Sequence, residues 1–199
     1  MAEPGVPWPN TVSYTSNQFL VSAGCLLFRL APDTHKLQLC AIFHTKQNHW
    51  LLPKGRKNCN ESIEAAAVRE TYEETGYPCE LLPCRMATRA TQHGVETPDT
   101  TAVVVDNAKE PVTVYVRQLS DNGVKLIWWF IARLKDNAEK VSGTQAAFEA
   151  YESHFLDVST AISRLHFQND RDLVQKAVEI IQATAELHGG GLAELFNRK

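Results

Sequence analysis

The run Leu126–Ile131 is the feature that most restricts the fold, because all six of its residues are apolar. A strand with one solvent-exposed face alternates apolar and polar residues, whereas a strand without that alternation is covered on both faces. We therefore predict a central strand over residues 124–134, with further layers of structure on both sides of its sheet. At least one of Trp128 and Trp129 should then belong to the core.

Sequence patterns on either side of this run predict a mixed α/β fold of the α+β type. Further strands are predicted over residues 19–30, 37–43, 79–86, 112–119 and 148–158. Turn residues at 31–34 predict that the first two of these strands form a hairpin. Helical spacing of apolar residues is found at 62–75, 159–167 and 169–188. A strand-rich middle with one inserted helix and closing helices indicates a mixed sheet with both faces covered.

The length of 199 residues fits one domain with additional loops or tails. We predict a flexible N-terminal lead-in over 1–17, a single domain over 18–188 and a C-terminal tail over 189–199, after the break at Gly189-Gly190-Gly191. A long, mostly polar insertion spans 89–111, and loops of that length are usually functional or disordered.

Charge and cysteine content restrict the cellular setting. The formal net charge of −3 argues against general nucleic-acid binding through a basic surface. Five cysteines without a CxxC spacing predict free thiols in a reducing compartment. The first ten residues lack the pattern of a secretory signal, and the apolar stretch at 19–30 is too short to span a membrane. A cytosolic protein is the expectation, and a nuclear location is left open.

The predicted helix at 62–75 carries a concentrated set of carboxylates. Its start can be capped by Ser62 or Asn60, and Gly76 is typical of a helix end. Glu70, Glu73 and Glu74 stand at i, i+3 and i+4, so their Cβ atoms lie about 5–6 Å apart on one face. Such carboxylates repel one another unless a hard cation such as magnesium or manganese binds them. A solvated acidic helix face is the simpler alternative.

The segment Lys54-Gly55-Arg56-Lys57 stands shortly before this helix and distinguishes the two readings. Three cations and a glycine at that point can bring side chains and backbone N–H groups to phosphate oxygens. Cations and carboxylates at one helix entrance therefore indicate a metal–phosphate site.

The stretch from Gly55 to Tyr77 resembles the Nudix box, G-x5-E-x7-R-E-U-x-E-E-x-G-U, where U is a bulky apolar residue. Every fixed position matches, and the two departures, Thr71 and Tyr77, fall at U positions that concern packing. The resemblance implies a Nudix α/β/α sandwich with a mixed central sheet and a catalytic loop–helix–loop. It also implies magnesium or manganese held by Glu70, Glu73, Glu74 and the carbonyl of Gly55, with Glu61 and Arg69 as structural partners.

Nudix hydrolases differ in where the general base lies. Glu70 is one candidate, and Glu149 or Glu152, just before the closing helices, is another. Residues 148–167 are similar to the corresponding part of asymmetric diadenosine-tetraphosphate hydrolases, and that register favours Glu149. The catalytic set implied by the resemblance is thus Glu70, Glu73, Glu74 and Glu149.

The resemblance also implies a substrate class. The sequence Pro53-Lys54-Gly55 is similar to the corresponding sequence in three branches of the family, which act on diadenosine polyphosphates, on diphosphoinositol polyphosphates and on mRNA caps. Lys54, Arg56 and Lys57 are expected to contact substrate phosphate, and Arg85 and Arg89 to extend the basic patch. The implied function is metal-dependent hydrolysis of a diphosphate linkage in a diphosphoinositol or dinucleoside polyphosphate. Alternatives are a capped RNA or other nucleoside-diphosphate-linked substrate, and a non-catalytic nucleotide- or RNA-binding module.

Overall fold

The computed structural model describes residues 9–136, 138–146, 150–187, 189 and 191–197. Within these ranges the chain forms ten strands and four helices. The strands are β1 (Phe19–Leu30), β2 (Leu37–His44), β3 (His49–Leu51), β4 (Lys54–Arg56), β5 (Cys79–Leu81), β6 (Cys84–Thr88), β7 (Val103–Ala108), β8 (Thr113–Gln118), β9 (Val124–Leu134) and β10 (Tyr151–Asp157). The helices are α1 (Ile63–Thr75), α2 (Val158–Arg164), α3 (Gln168–Leu187) and α4 (Gly191–Asn197).

The central sheet is mixed, as the sequence predicts. In the described ranges its main order is β10-β2-β1-β9-β5, with β3, β4 and β8 pairing to β2, β1 and β9. Strands β1 and β9 run parallel over a long register from Phe19↔Val124 to Phe28↔Arg133, and the other pairs in this sheet are antiparallel. The predicted apolar strand at 124–134 is therefore confirmed as a central one, since β1 pairs on one side of it and β5 and β8 on the other.

Two cores cover the two faces of this sheet. On one face, α1 packs Ala66 and Ala67 against Cys25, Phe130 and neighbouring residues of β1 and β9. On the other face, α2 and α3 pack an apolar stripe, including Leu173 and Ile181, against the opposite side of the same strands. Adjacent tryptophans consequently serve different layers: Trp129 lies in the α3-side core and Trp128 packs on the α1 side. The fold is the α/β/α sandwich implied above.

The prediction of one strand over 79–86 is wrong, because the segment divides into two strands that belong to different sheets. Strand β5 pairs with β9, and after Pro83 the chain turns into β6, which pairs with β7 in a separate two-stranded sheet. Proline has no N–H to donate to a ladder, so it is found at strand boundaries. Strand β7 lies inside the predicted polar insertion 89–111, which is thus partly ordered as an edge hairpin that packs β6 on α3.

The C-terminal helix α4 packs onto the rest of the domain. Beyond α3, helix α4 buries Leu195 and packs against α3. The Arg133 guanidinium donates to the carbonyls of Leu195 and Phe196 at 3.3 and 3.0 Å, which ties α4 to β9.

In the described part of the chain no helix combines the length and apolarity needed to cross a membrane. All five cysteines lie in this part and are free thiols, as predicted, with Cys59 alone exposed.

Candidate active site

Helix α1 is defined by its two ends. Ser62, not Asn60, is the N-cap: its Oγ accepts a hydrogen bond from the Ala65 amide at 3.1 Å. Gly76 closes the helix in the left-handed conformation, with φ of 77°, and its N–H donates to the Tyr72 carbonyl at 2.7 Å. A residue with a Cβ disfavours that conformation, which is why glycine ends the helix here.

Strand β4 reaches the helix because β1 lets it approach closely. Gly24 pairs with Lys54, and a Cβ at Gly24 would stand 2.7 Å from the Lys54 Cβ and 2.9 Å from Cζ3 of Trp129. No side chain fits there, so glycine permits the packing of β4 on β1. Side chains alternate along a strand, so Gly55 faces α1 whereas Lys54 and Arg56 face the opposite side of the sheet.

Arg69 connects helix α1 to the loop that precedes it. Its Nε and Nη2 donate to the two oxygens of Glu61 at 2.7 and 2.8 Å, and Nη2 also donates to the Arg56 carbonyl at 2.9 Å. This bidentate pair lowers the pKa of Glu61 to about 2 and raises that of Arg69. Glu61 also accepts from the Asn58 amide at 2.8 Å, which fixes the loop before α1. The pair has the structural role that the resemblance implies.

The same guanidinium brings two box carboxylates together. Nη1 of Arg69 donates to Glu70 Oε1 at 2.7 Å and to Glu73 Oε2 at 2.8 Å. Glu70 is only 8% exposed, and its carboxylate lies where a Cβ on Gly55 would be. Glycine at 55 therefore gives the carboxylate direct access to the β4 backbone, a role that sequence spacing does not reveal.

Glu74 is oriented differently from the other two. It is 4% exposed, and its Oε2 accepts a hydrogen bond from the Lys54 amide at 2.7 Å, so it joins α1 to β4. Among the described residues, no three Asp, Glu, His or Cys side chains are gathered as a metal-binding group. The donor chemistry nevertheless fits a hard cation: Glu70 and Glu74 lie against the β4 backbone, Glu73 shares Arg69 with Glu70, and oxygen ligands of this kind suit magnesium or manganese.

A row of four cations lies on the face of the sheet opposite α1. The strand registers pair Ser22 with Arg56, Gly24 with Lys54 and Leu20 with Lys125, and Arg117 pairs with Lys125 across β8 and β9. Paired residues present their side chains on the same face, and so do residues two apart on one strand. The side chains of this cation row, Lys54, Arg56, Arg117 and Lys125, therefore all project to the α3 side.

The electrostatics confirm that these four charges are close. The pKa of Lys125 is lowered to about 8, first by burial and then by the positive charges of Lys54, Arg117 and Arg56, while Glu74 opposes the shift. Cations held together in this way favour an anionic ligand. Sequence reasoning missed Lys125 and Arg117. A signal was present, since Lys125 is a lone cation in the otherwise apolar first half of β9.

The cation row borders a cavity of about 690 Å³ between the sheet and the start of α3. About half of its lining residues are apolar or aromatic, and the others are polar or charged. The main lining residues are Leu51, Leu52, Tyr115, Ile127, Trp129 and Phe167, with Lys54, Arg117 and Asp170 as the charged ones. Ligand sites commonly combine a volume of this order with apolar walls and few polar groups.

The remaining predicted substrate contacts lie elsewhere. The Lys57 ammonium donates to the Asn58 carbonyl at 2.9 Å, beside the loop before α1. Arg85 lies on β6, where it pairs with Asp106 of β7 at 3.0 Å, and Arg89 is exposed just after that strand. Neither Arg85 nor Arg89 lines the cavity. Phosphate binding by these three residues stays a prediction.

The sequence predicts two candidates for the general base before α2, Glu149 and Glu152. Glu152 of β10 is exposed and lies 3.5 Å from His154 Nε2. Its neighbour Ser153 donates to the Thr75 carbonyl of α1, so alternation directs Glu152 to the face away from α1. Glu149 lies outside the described residues, and its assignment as general base stays a prediction.

Comparison with known proteins identifies the class that this fold and box define. The family model of the NUDIX domain matches residues 20–149, and the chain belongs to this family. The resemblance stated from the box is thereby confirmed. Nudix hydrolases act on phosphorus-containing acid anhydrides.

Individual relatives match this chain over a short segment or at low sequence identity. The C. elegans protein "Putative nudix hydrolase 1" is 37% identical over 62 residues, and this match covers 31% of the present chain but 17% of the relative's length. A C. elegans Ap4A hydrolase, solved as a binary complex, superposes with a TM-score of 0.55 at 17% identity, covering 82% of this chain and 98% of that one. A NUDIX hydrolase from Nitrosomonas europaea gives a TM-score of 0.51 at 12% identity, covering 80% and 88%. These likenesses establish the shared fold.

Proposed function

We propose that the chain catalyses the hydrolysis of a phosphoanhydride bond in a highly phosphorylated substrate, with magnesium or manganese bound at the box. The observation that carries the proposal is the position of Glu70. Its carboxylate is buried against the backbone of Gly55 and joined to Glu73 through Arg69. Glu70 and Glu74 are buried and Glu73 is partly exposed on the same helix, so a hard cation would stabilise the three carboxylates together. The cation row on the other face of β4 provides for an anionic substrate.

Glu70, Glu73, Glu74 and the Gly55 carbonyl would hold the cation. When bound, it supplies charge stabilisation at the phosphate oxygens and a water of lowered pKa. Arg69 and Glu61 fix the helix relative to the loop, so that the carboxylates need not reorganise during the reaction. Glu149 is proposed as the base that takes the proton of the attacking water, with Glu70 as the second candidate.

The cation row would bind the phosphates that are not cleaved. Lys54 and Arg56 stand on either side of Gly55 in β4, so their charges lie within one residue of the box although their side chains project to the α3 side. Lys125 and Arg117 extend the same charge towards the cavity. Positioning by several charged groups suits phosphoryl transfer, in which the protein contributes chiefly orientation and electrostatics. Diphosphoinositol polyphosphates and dinucleoside polyphosphates are the proposed substrates.

The test is product analysis on a panel of diphosphoinositol pentakisphosphate, diadenosine tetra- and hexaphosphate, capped RNA, ADP-ribose and NADH. Each is assayed with magnesium, with manganese and with chelator. We expect metal-dependent release from one class of substrate. The Glu73→Gln, Glu74→Gln double variant should lose at least about 100-fold in kcat. Glu64→Gln on the exposed first turn of α1 is the matched control and should retain turnover.

Two results would oppose the proposal. Unchanged turnover in the double variant would remove the assignment of the site. No turnover with any substrate, together with tight metal-independent binding of one of them, would instead favour a binding module.

A further inference from the structure

Two buried polar groups in the cavity wall do not take part in the chemistry proposed above. One is the indole of Trp129, which is 2% exposed and whose Nε1 has no hydrogen-bond partner among the described residues. Its Cζ3 edge lies against Gly24. Because Nε1 is on the opposite side of the indole, the N–H is directed away from β1. A buried N–H without an acceptor is costly unless a ligand or water satisfies it.

The other group is the carboxylate of Asp170 in the first turn of α3, which is 8% exposed. Its backbone N–H donates to the Phe167 carbonyl at 3.2 Å, which holds this turn against the cavity. Burial raises the pKa of Asp170 to about 6, and the charge of Lys54 opposes that shift. At neutral pH the group is therefore mostly ionised, and it would accept hydrogen bonds from a ligand.

Aromatic side chains flank these two groups. Tyr115 lies edge-on to Trp129, with ring centroids 6.1 Å apart, and its hydroxyl donates to the Asn169 carbonyl at 2.7 Å. Phe167 is 53% exposed, although it is a large apolar residue that lines the cavity. Aromatic walls of this kind suit a flat ring, because nucleobases stack on them irrespective of sequence.

We propose, on the basis of the hydrolase function proposed above, that this cavity binds a nucleobase and that Asp170 and the Trp129 indole N–H read its edge. The substrate class is then a nucleoside polyphosphate, with the phosphates on the cation row and the base in the cavity. Of the two substrate classes proposed above, a nucleoside polyphosphate fits this cavity better, because Asp170 would repel the phosphates that an inositol polyphosphate carries around its ring. Guanine is the best match, because its N1–H and N2–H₂ donors stand side by side for one carboxylate and its O6 can accept from an indole.

Calorimetric titration of the full chain in the presence of a chelator tests this without requiring turnover. The probes are GTP, ATP, CTP, UTP, inorganic tripolyphosphate and inositol hexakisphosphate. We expect GTP to bind at least about tenfold more tightly than tripolyphosphate, because base stacking adds to the phosphate contacts. Asp170→Asn should reduce GTP affinity about tenfold without weakening tripolyphosphate binding. Asp172→Asn, an exposed carboxylate on the same helix outside the cavity, is the matched control.

Retained tripolyphosphate binding also verifies that the Asp170 variant is folded. Trp129→Phe, which keeps an aromatic ring and removes the N–H, should reduce the preference for GTP over the other nucleotides. Equal affinities for the four nucleotides and tripolyphosphate, tighter binding of inositol hexakisphosphate, or no effect of Asp170→Asn would each overturn the proposal. Failure of the metal-dependent assay with nucleotide selectivity intact would contradict the hydrolase and leave the base pocket standing.

Discussion

Replacing Gly55 by alanine tests the geometry on which the site rests. The three atoms nearest to an added Cβ all belong to the Glu70 carboxylate, which would overlap it. The backbone itself permits the substitution, since Gly55 is not among the residues with positive φ. Any effect of Gly55→Ala must therefore come through Glu70.

The expected size follows from two contributions. Overpacking a buried contact costs about 1–3 kcal/mol. Moving the Glu70 carboxylate also breaks its charge-assisted hydrogen bond from Arg69, a loss of about 1.5–3 kcal/mol. We expect the free energy of unfolding to fall by about 3 kcal/mol, and kcat/KM by at least about 100-fold because a catalytic group is misplaced.

Urea unfolding and the phosphate-release assay would measure the two effects. The double variant Gly55→Ala, Glu70→Ala separates them, because truncation at 70 removes the overlap without restoring the carboxylate. Its unfolding free energy should match that of Glu70→Ala alone within about 0.5 kcal/mol, which corresponds to a coupling of about 3 kcal/mol between the positions, while activity stays lost. Wild-type stability and turnover in Gly55→Ala would refute the reasoning, as would strict additivity.

Two further predictions concern charge. Glu61→Gln should lower the free energy of unfolding by about 2–3 kcal/mol at pH 7. Because the pKa of Glu61 falls from 4.5 to about 2 on folding, its stabilisation is complete above pH 4.5 and is lost as the pH falls through about 2, so urea curves of the two proteins should converge in acid. Lys125→Met should weaken tripolyphosphate binding about tenfold at pH 7. Since the Lys125 pKa is about 8, the tripolyphosphate affinity of the wild type should weaken between pH 7 and 9. The affinity of Lys125→Arg should stay constant over that range, because arginine remains charged. Parallel pH profiles of the two proteins would contradict the role of Lys125.

Local spacing was sufficient for the catalytic helix. The helix end at Gly76 and the arc of Glu70, Glu73 and Glu74 depend on residues a few positions apart. The N-cap was restricted to Ser62 or Asn60, and the structure assigns it to Ser62. The pairing of Arg69 with Glu61, which the family resemblance implies, joins the seventh residue of α1 to the loop just before the helix. Such features are set by helical periodicity and end chemistry, so reading the chain in order recovers them.

Strand boundaries near Pro83 and the order within 89–111 could not be recovered in that way. The segment 79–86 has a continuous β pattern, yet β5 and β6 join different sheets because the partners that satisfy their backbones lie far along the chain. Strand β7 begins with three valines, but it is only six residues long, lies within a polar segment and, among the described strands, pairs only with β6. Long-range pairing decided both cases against the local pattern.

The sequence by itself determined the family, the sandwich with a doubly covered central strand, and the carboxylates of the box. Only the tertiary structure decided what surrounds them. The register of β4, β1, β9 and β8 brings Lys125 and Arg117 beside Lys54. The packing of α3 then adds Asp170 to the same cavity. These residues are distant in the chain, and a shift of one residue in any strand pair would send its side chains to the other face.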